Sequence, residues 1–234
     1  LNKHRLAIMQ PYFFPYIGYF QLLAAVDEFV LLDDVNYIKK GWINRNTICV
    51  QGKPYLFTIP LLKASQNKKI SEIARSADPK PVLDLIRTIE FSYRNAPYFE
   101  QNRGWVNAAL LNASSNLADY IANSIGAVCN YLGIETPVLR ATDLGITRDL
   151  GGQARILSIS KTRNAETYIN PSGGIDLYDP NLFKDANIEL KFLKSRPLKP
   201  AMGNDSTFSI LHLIFTMPPE VVKLQLREFD LYER

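Results

Sequence analysis

Short apolar runs alternate with stretches of helical spacing along this chain, most sharply at its start. His4–Met9 predicts a short buried strand, Ile17–Val26 a helix, and Glu28–Asp33 a second apolar strand that ends in carboxylates. That is a β-α-β opening. Asn44–Val50 and Tyr55–Leu62 are β-rich runs joined by Gln-Gly-Lys-Pro, whose Gly and Pro suit a hairpin loop. From Lys80 onward the period turns helical, with Val82, Leu85, Ile86 and Ile89 on one stripe until Pro97 interrupts. Asn116–Leu132 is the clearest helix, apolar at nearly every step of one face and ended by Gly133. Val138–Ala141 then predicts a strand, Gly152–Arg163 a helix, and Glu166–Ile169 a strand running into Asn-Pro-Ser-Gly-Gly. Ile188–Leu193 is one more strand. Thr207–Phe215 and Glu220–Phe229 read as closing helices, the second entered through Pro218-Pro219.

The alternation predicts an α/β fold with a mostly parallel sheet, a β-hairpin insertion and a helical subdomain at about residues 80–135. A chain of 234 residues, 47% hydrophobic, buries a sizeable core, so residues 1–234 are expected to form one domain. Phe29–Leu32 and Ala122–Val128 fall well short of the roughly 20 apolar residues that a bilayer span takes. The start lacks a secretory h-region, so a cytoplasmic protein with no membrane partner is expected. Cys49 and Cys129 have no C-x-x-C spacing and read as core thiols. With only His4 and His212, a histidine-rich metal site or a Ser-His-Asp triad has little material, and no metal ligands are assigned. The net charge of +4 is mild, with clusters at Lys39-Lys40, Lys68-Lys69 and Lys191–Lys199. It suits an anionic small substrate at least as well as nucleic acid.

Three stretches offer chemistry. In an open α/β sheet ligands gather at the carboxyl ends of the strands, which would set Gln10–Pro15 and Asp33–Asp34 on one rim. In "QPYFFPYIGYF", Pro11 and Pro15 pin the loop, Gly18 permits close approach, and the helix start offers N–H groups to phosphate. Gln10, Tyr12, Tyr16 and Tyr19 add an amide, flat faces and hydroxyls, whereas Phe13, Phe14 and Phe20 read as core. The second stretch, Asp33 to Asn46, is the densest polar constellation in the chain. Asp33 and Asp34 are candidates to orient or deprotonate an attacking amine, and Lys40 and Arg45 to neutralise developing negative charge. Asn36, Trp42 and Asn46 are candidate binding groups beside them, the alternative being a solvated loop with incidental ion pairs. In the third, Ser172, Gly173 and Gly174 can form an anion-binding nest or an ordinary tight turn. Asp205-Ser206-Thr207 looks like a helix cap, and His212 like a core histidine.

"QPYFFPYIGYF", "LLDDVNYIKKGWINRN", "YINPSGG" and "STFSILHLIF…PEVV" together resemble the WbqC-like protein family over nearly the whole chain. The resemblance implies a role in bacterial surface polysaccharide (O-antigen) biosynthesis, attaching an amino acid such as glycine to a nucleotide-linked amino sugar. The activating cofactor would be ATP with Mg²⁺, or the acyl donor a charged tRNA. A non-catalytic nucleotide-sugar binding or scaffold protein is the alternative, and an RNA-binding module a third. Tyr16-Ile17-Gly18-Tyr19 is also similar to the His-Ile-Gly-His of nucleotidylyltransferases and their relatives, implying a Rossmann-like sheet of HUP type. Tyrosine there donates a hydrogen bond but carries no positive charge at neutral pH, its pKa being about 10.

Overall fold

The computed structural model describes residues 3–146, 150–196 and 208–234. Ten strands and eight α-helices are described, in the order β1 Arg5–Met9, α1 Ile17–Ala24, β2 Glu28–Leu31, β3 Arg45–Val50, β4 Lys53–Thr58, β5 Leu61–Leu62 and β6 Ala74–Arg75. Helices α2 Lys80–Tyr93, α3 Phe99–Leu110 and α4 Leu117–Leu132 follow, then β7 Val138–Arg140, α5 Gly152–Thr162 and β8 Thr167–Pro171. The chain closes with α6 Pro180–Asp185, β9 Glu189–Ser195, α7 Ile210–Thr216, α8 Pro219–Gln225 and β10 Phe229–Tyr232.

Six strands form a central sheet in the order β10-β9-β8-β1-β2-β7. All neighbouring pairs are parallel except β9–β10. The sheet is covered on both faces, and the two-residue period of the strands sorts their side chains between them. Ala7, Phe29 and Leu31 join the core under α1, α4, α7 and α8, while Leu6, Ile8 and Val30 join the core under α5 and α6. Helices α2, α3 and α4 bury Ile89, Val106 and Ile121 in the same core as α1. Hairpin β3–β4 stands apart from the sheet and plugs into that core through Ile48 and Phe57.

The caps explain why α4 is so clear in the sequence. Asn116 accepts hydrogen bonds from the backbone of Ala118 and Asp119, and Gly133 takes the left-handed conformation at φ 72° that ends the helix. The chain end differs from expectation. Instead of one helix over Glu220–Phe229, α8 stops at Gln225 and Phe229–Tyr232 is an edge strand, antiparallel to β9. The buried amide of Gln21 holds the break, donating to the carbonyls of Gln225 at 2.7 Å and Glu228 at 2.9 Å. Helix α7 starts at Ile210, capped by Ser209. The cap expected at Asp205-Ser206-Thr207 lies outside the described residues, as does Lys199. His212 is buried, 3.1 Å from the Tyr93 hydroxyl, and Cys129 is buried while Cys49 is partly exposed.

Candidate functional site

Because five neighbouring strands run parallel, their carboxyl ends share one rim. The chain passes from β1 to β2 to β7 on one side, then crosses back to place β8 and β9 on the other side of β1. The loop after β1 and the turn after β8 therefore part company above adjacent strands, which is the crevice where open α/β sheets bind ligands. Gln10 and Tyr12 follow β1, and Ser172, Gly173 and Gly174 begin a 3₁₀ turn directly after β8.

The first loop is held from three directions. Phe14 sits at φ 42°, a conformation that side chains rarely adopt. Its carbonyl accepts from the Asn46 amide at 2.8 Å and the Ser209 hydroxyl at 2.7 Å, and the Phe13 carbonyl accepts from Asn46 at 3.1 Å. The buried Asn46 thus joins the hairpin to this loop. Tyr19 is also buried, and its hydroxyl donates to the Gln10 carbonyl at 3.0 Å. Tyr16 is half-exposed, its ring lying over Gly18 so closely that a Cβ there would meet Tyr16 Cε2 at 2.3 Å. Burial pushes the hydroxyls of Tyr12, Tyr16 and Tyr19 above the usual tyrosine value, so all three are neutral donors at neutral pH.

The two aspartates after β2 have separate partners. Asp33, fully buried, accepts from Arg140 Nε at 2.7 Å, Thr142 Oγ1 at 2.9 Å and the Thr142 backbone at 3.0 Å. Arg140, at the end of β7, also reaches Asp119 of α4. Burial works against its charge, but the hydrogen bond and charge of Asp33, aided by Asp119 and Asp143, leave its pKa raised. Asp34 pairs with Arg155 of α5, and its Oδ1 is buried without a hydrogen-bond partner among the described residues. Arg140, Thr142, Asp119 and Arg155 were not singled out in the sequence. A buried carboxylate pair after a strand calls for cations, and an arginine closing a parallel neighbour was the one signal that pointed to Arg140.

Lys40, Arg45 and Trp42 lie further along the same segment and contact one another. Arg45 donates to the carbonyls of Gly41, at 2.9 Å, and Lys40, and its guanidinium stands 5.9 Å from the Trp42 ring centre. Among the described residues neither Lys40 nor Arg45 pairs with Asp33 or Asp34. Asn36 is exposed and bridges to Lys69. On the β8 side, Asn170 receives the Tyr168 hydroxyl at 3.1 Å, which ties the start of the Ser172 turn to the core. No group of three or more His, Cys, Asp or Glu among the described residues is placed to hold a metal ion. With Asp33 and Asp34 each against an arginine, the described donors do not suit a Mg²⁺ held by this chain.

Fold and rim define a mixed α/β protein with a mostly parallel sheet and polar residues following several strands at its carboxyl edge. The chain belongs to the WbqC-like protein family, which matches residues 10–223. It is similar to a Mycobacterium tuberculosis protein described as "Uncharacterized protein Rv1507c", 28% identical over 222 residues that cover 92% of this chain and 95% of the relative. No solved structure matches.

Proposed function

We propose that this protein is a transferase or ligase acting on a nucleotide-linked amino sugar in bacterial surface polysaccharide (O-antigen) biosynthesis, joining an amino acid such as glycine to the sugar through an amide bond. The observation that carries the reading is the crossing of the chain at β1, which sets the Gln10–Tyr19 loop and the Ser172–Gly174 turn after adjacent parallel strands on one rim. Family membership supports the pathway context. The sheet is read as a Rossmann-like one of HUP type, with Tyr16-Ile17-Gly18-Tyr19 at the step where His-Ile-Gly-His stands in nucleotidylyltransferases.

In this reading the α1 start and the Ser172–Gly174 turn hold nucleotide phosphates, and Gln10, Tyr12 and Tyr16 face the base and sugar. Asp33 is a positioning residue, locked by Arg140 and Thr142. Asp34, with one oxygen unpartnered, takes the proton from the attacking amine as the C–N bond forms. The bond from the acyl carbon to its carrier oxygen breaks, and that oxygen leaves with a proton. Lys40 and Arg45 supply positive charge toward the phosphates. Because the described donors do not suit a resident Mg²⁺, an acyl group activated before it arrives, as on a charged tRNA, is the preferred donor over ATP.

A titration tests the binding half of this proposal. The protein should melt several degrees higher with a nucleotide-linked amino sugar than with the free amino sugar, because a ligand that binds only the folded state stabilises it by mass action. Equal melting temperatures with both would contradict it. A non-catalytic nucleotide-sugar binder is the second reading, favoured by Asp33, Arg45 and Asn46, each of which hydrogen-bonds to the chain itself. It predicts the same stabilisation and no product.

A further inference from the structure

The charge of this chain is strongly segregated. Between Val35 and Ser71 there are seven lysines and arginines and no aspartate or glutamate, whereas the other 197 residues carry 20 basic and 23 acidic side chains. Thus a mildly basic protein is a slightly acidic body with one strongly basic insertion. None of the seven cations forms an ion pair among the described residues, and Lys39, Lys40, Lys53, Lys63 and Lys68 are exposed.

The same insertion displays large apolar side chains. Ile38 is 48% exposed, Trp42 47%, Leu56 49% and Leu62 51%. The backbone bonds bring much of this set together. Tyr37 donates to the Lys68 carbonyl at 2.9 Å, which lays the Ile38–Trp42 loop beside the Lys68-Lys69 corner. Arg45 then spans Gly41, Lys40 and Trp42. In the β3–β4 register Arg45 opposes Thr58 and Thr47 opposes Leu56, so Arg45 and Leu56 share the outward face of the hairpin.

We infer that this insertion is a peripheral docking surface for an anionic phospholipid bilayer, with Ile38, Trp42 and Leu56 entering the headgroup boundary and exposed lysines such as Lys39 and Lys68 meeting lipid phosphate. A nucleic-acid backbone would satisfy the lysines but offers nothing to an exposed isoleucine and leucine. A bilayer surface takes both, and tryptophan and lysine are suited to its interfacial layer. The expectation of no membrane partner concerns signal and spanning segments, and no helix among the described residues is long and apolar enough to cross a membrane. Peripheral docking needs none. The inference does not depend on the proposed reaction.

Flotation of the full chain with vesicles tests it. At low salt the protein should float with vesicles of phosphatidylcholine mixed with phosphatidylglycerol and not with phosphatidylcholine alone. Its tryptophan emission should shift to the blue, a change lost in Trp42→Phe because the other tryptophan, Trp105, packs against the core on Tyr131 rather than in the insertion. Lys39→Ala and Lys68→Ala should each weaken binding roughly fivefold. Ile38→Ser and Leu56→Ser, which leave the charge unchanged, should each weaken it roughly tenfold. Absence of flotation with anionic vesicles overturns the proposal. So does flotation indifferent to Ile38 and Leu56, and in that case retention of a single-stranded RNA by the wild type but not the lysine variants would assign the surface to nucleic acid. The wild-type comparison of the two vesicle types decides even if a variant fails to fold.

Discussion

Arg155 and Asp34 form a buried ion pair, with side chains 4% and 1% exposed. They come from the start of α5 and the end of β2, so the pair fixes where that helix meets the carboxyl rim of the sheet. Removing Arg155 strands the buried charge of Asp34, and removing Asp34 as well relieves it.

Arg155→Met should therefore destabilise the protein by about 3–5 kcal/mol, while Arg155→Met with Asp34→Leu recovers most of that loss. Urea unfolding of both variants checks it. Equal destabilisation in the single and double variants would mean that packing rather than charge governs the site.

Arg140 has two acidic partners of unequal standing. Asp33 is 1% exposed and Asp119 46%. Asp119→Ala should cost no more than about 1 kcal/mol, as exposed ion pairs do, and Asp33→Ala about 3–5 kcal/mol, since it removes the buried acceptor of Arg140 and of the Thr142 backbone. Thermal unfolding measured by calorimetry would rank the two, and the reverse order would be inconsistent with this geometry.

Gly18→Ala is a test of Tyr16 that leaves the core alone. The new Cβ would collide with the Tyr16 ring, which is 36% exposed and must shift to make room. The melting temperature should change little, the helix gaining at most about 1 kcal/mol from alanine. Affinity for a nucleotide-linked amino sugar should fall several-fold by isothermal titration. Unchanged affinity would remove Tyr16 from the binding surface.

Burial pushes the Cys129 thiol up to about 12. Since the folded value lies above the ordinary one of about 8.5, the stability it contributes is complete below pH ~8.5 and declines as pH rises toward 12. Iodoacetamide at pH 8 should label Cys49 and spare Cys129, as read by peptide mass spectrometry. Equal labelling would show that the α4 face opens in the native state.

What the sequence disclosed and what it withheld follow from the range of the interactions. Helix α4 was legible to within a residue because its stripe, its Asn116 cap and its Gly133 stop are all local. The β1-α1-β2 opening was legible for the same reason. Strand β10 was hidden because its four residues become a strand only by pairing with β9, and the Gln21 amide that ends α8 comes from 204 residues away. At the rim, Asp33 and Asp34 stood out as acids after a buried strand. Their partners did not, because Arg140 and Arg155 lie 107 and 121 residues further on and meet them only through the topology of the sheet. Asn46 carries a role that its residue type alone did not disclose: its amide braces the carbonyls of Phe13 and Phe14.

The central claim is that an amide bond forms on a nucleotide-linked amino sugar at this rim. Incubation of the protein with such a sugar and either glycine with ATP or glycyl-tRNA, followed by mass spectrometry, addresses it most directly. The account predicts a product heavier by one glycyl residue, absent with the N-acetylated sugar, and reduced at least a hundredfold in Asp34→Asn. Binding without any such product, across both donors, would contradict it.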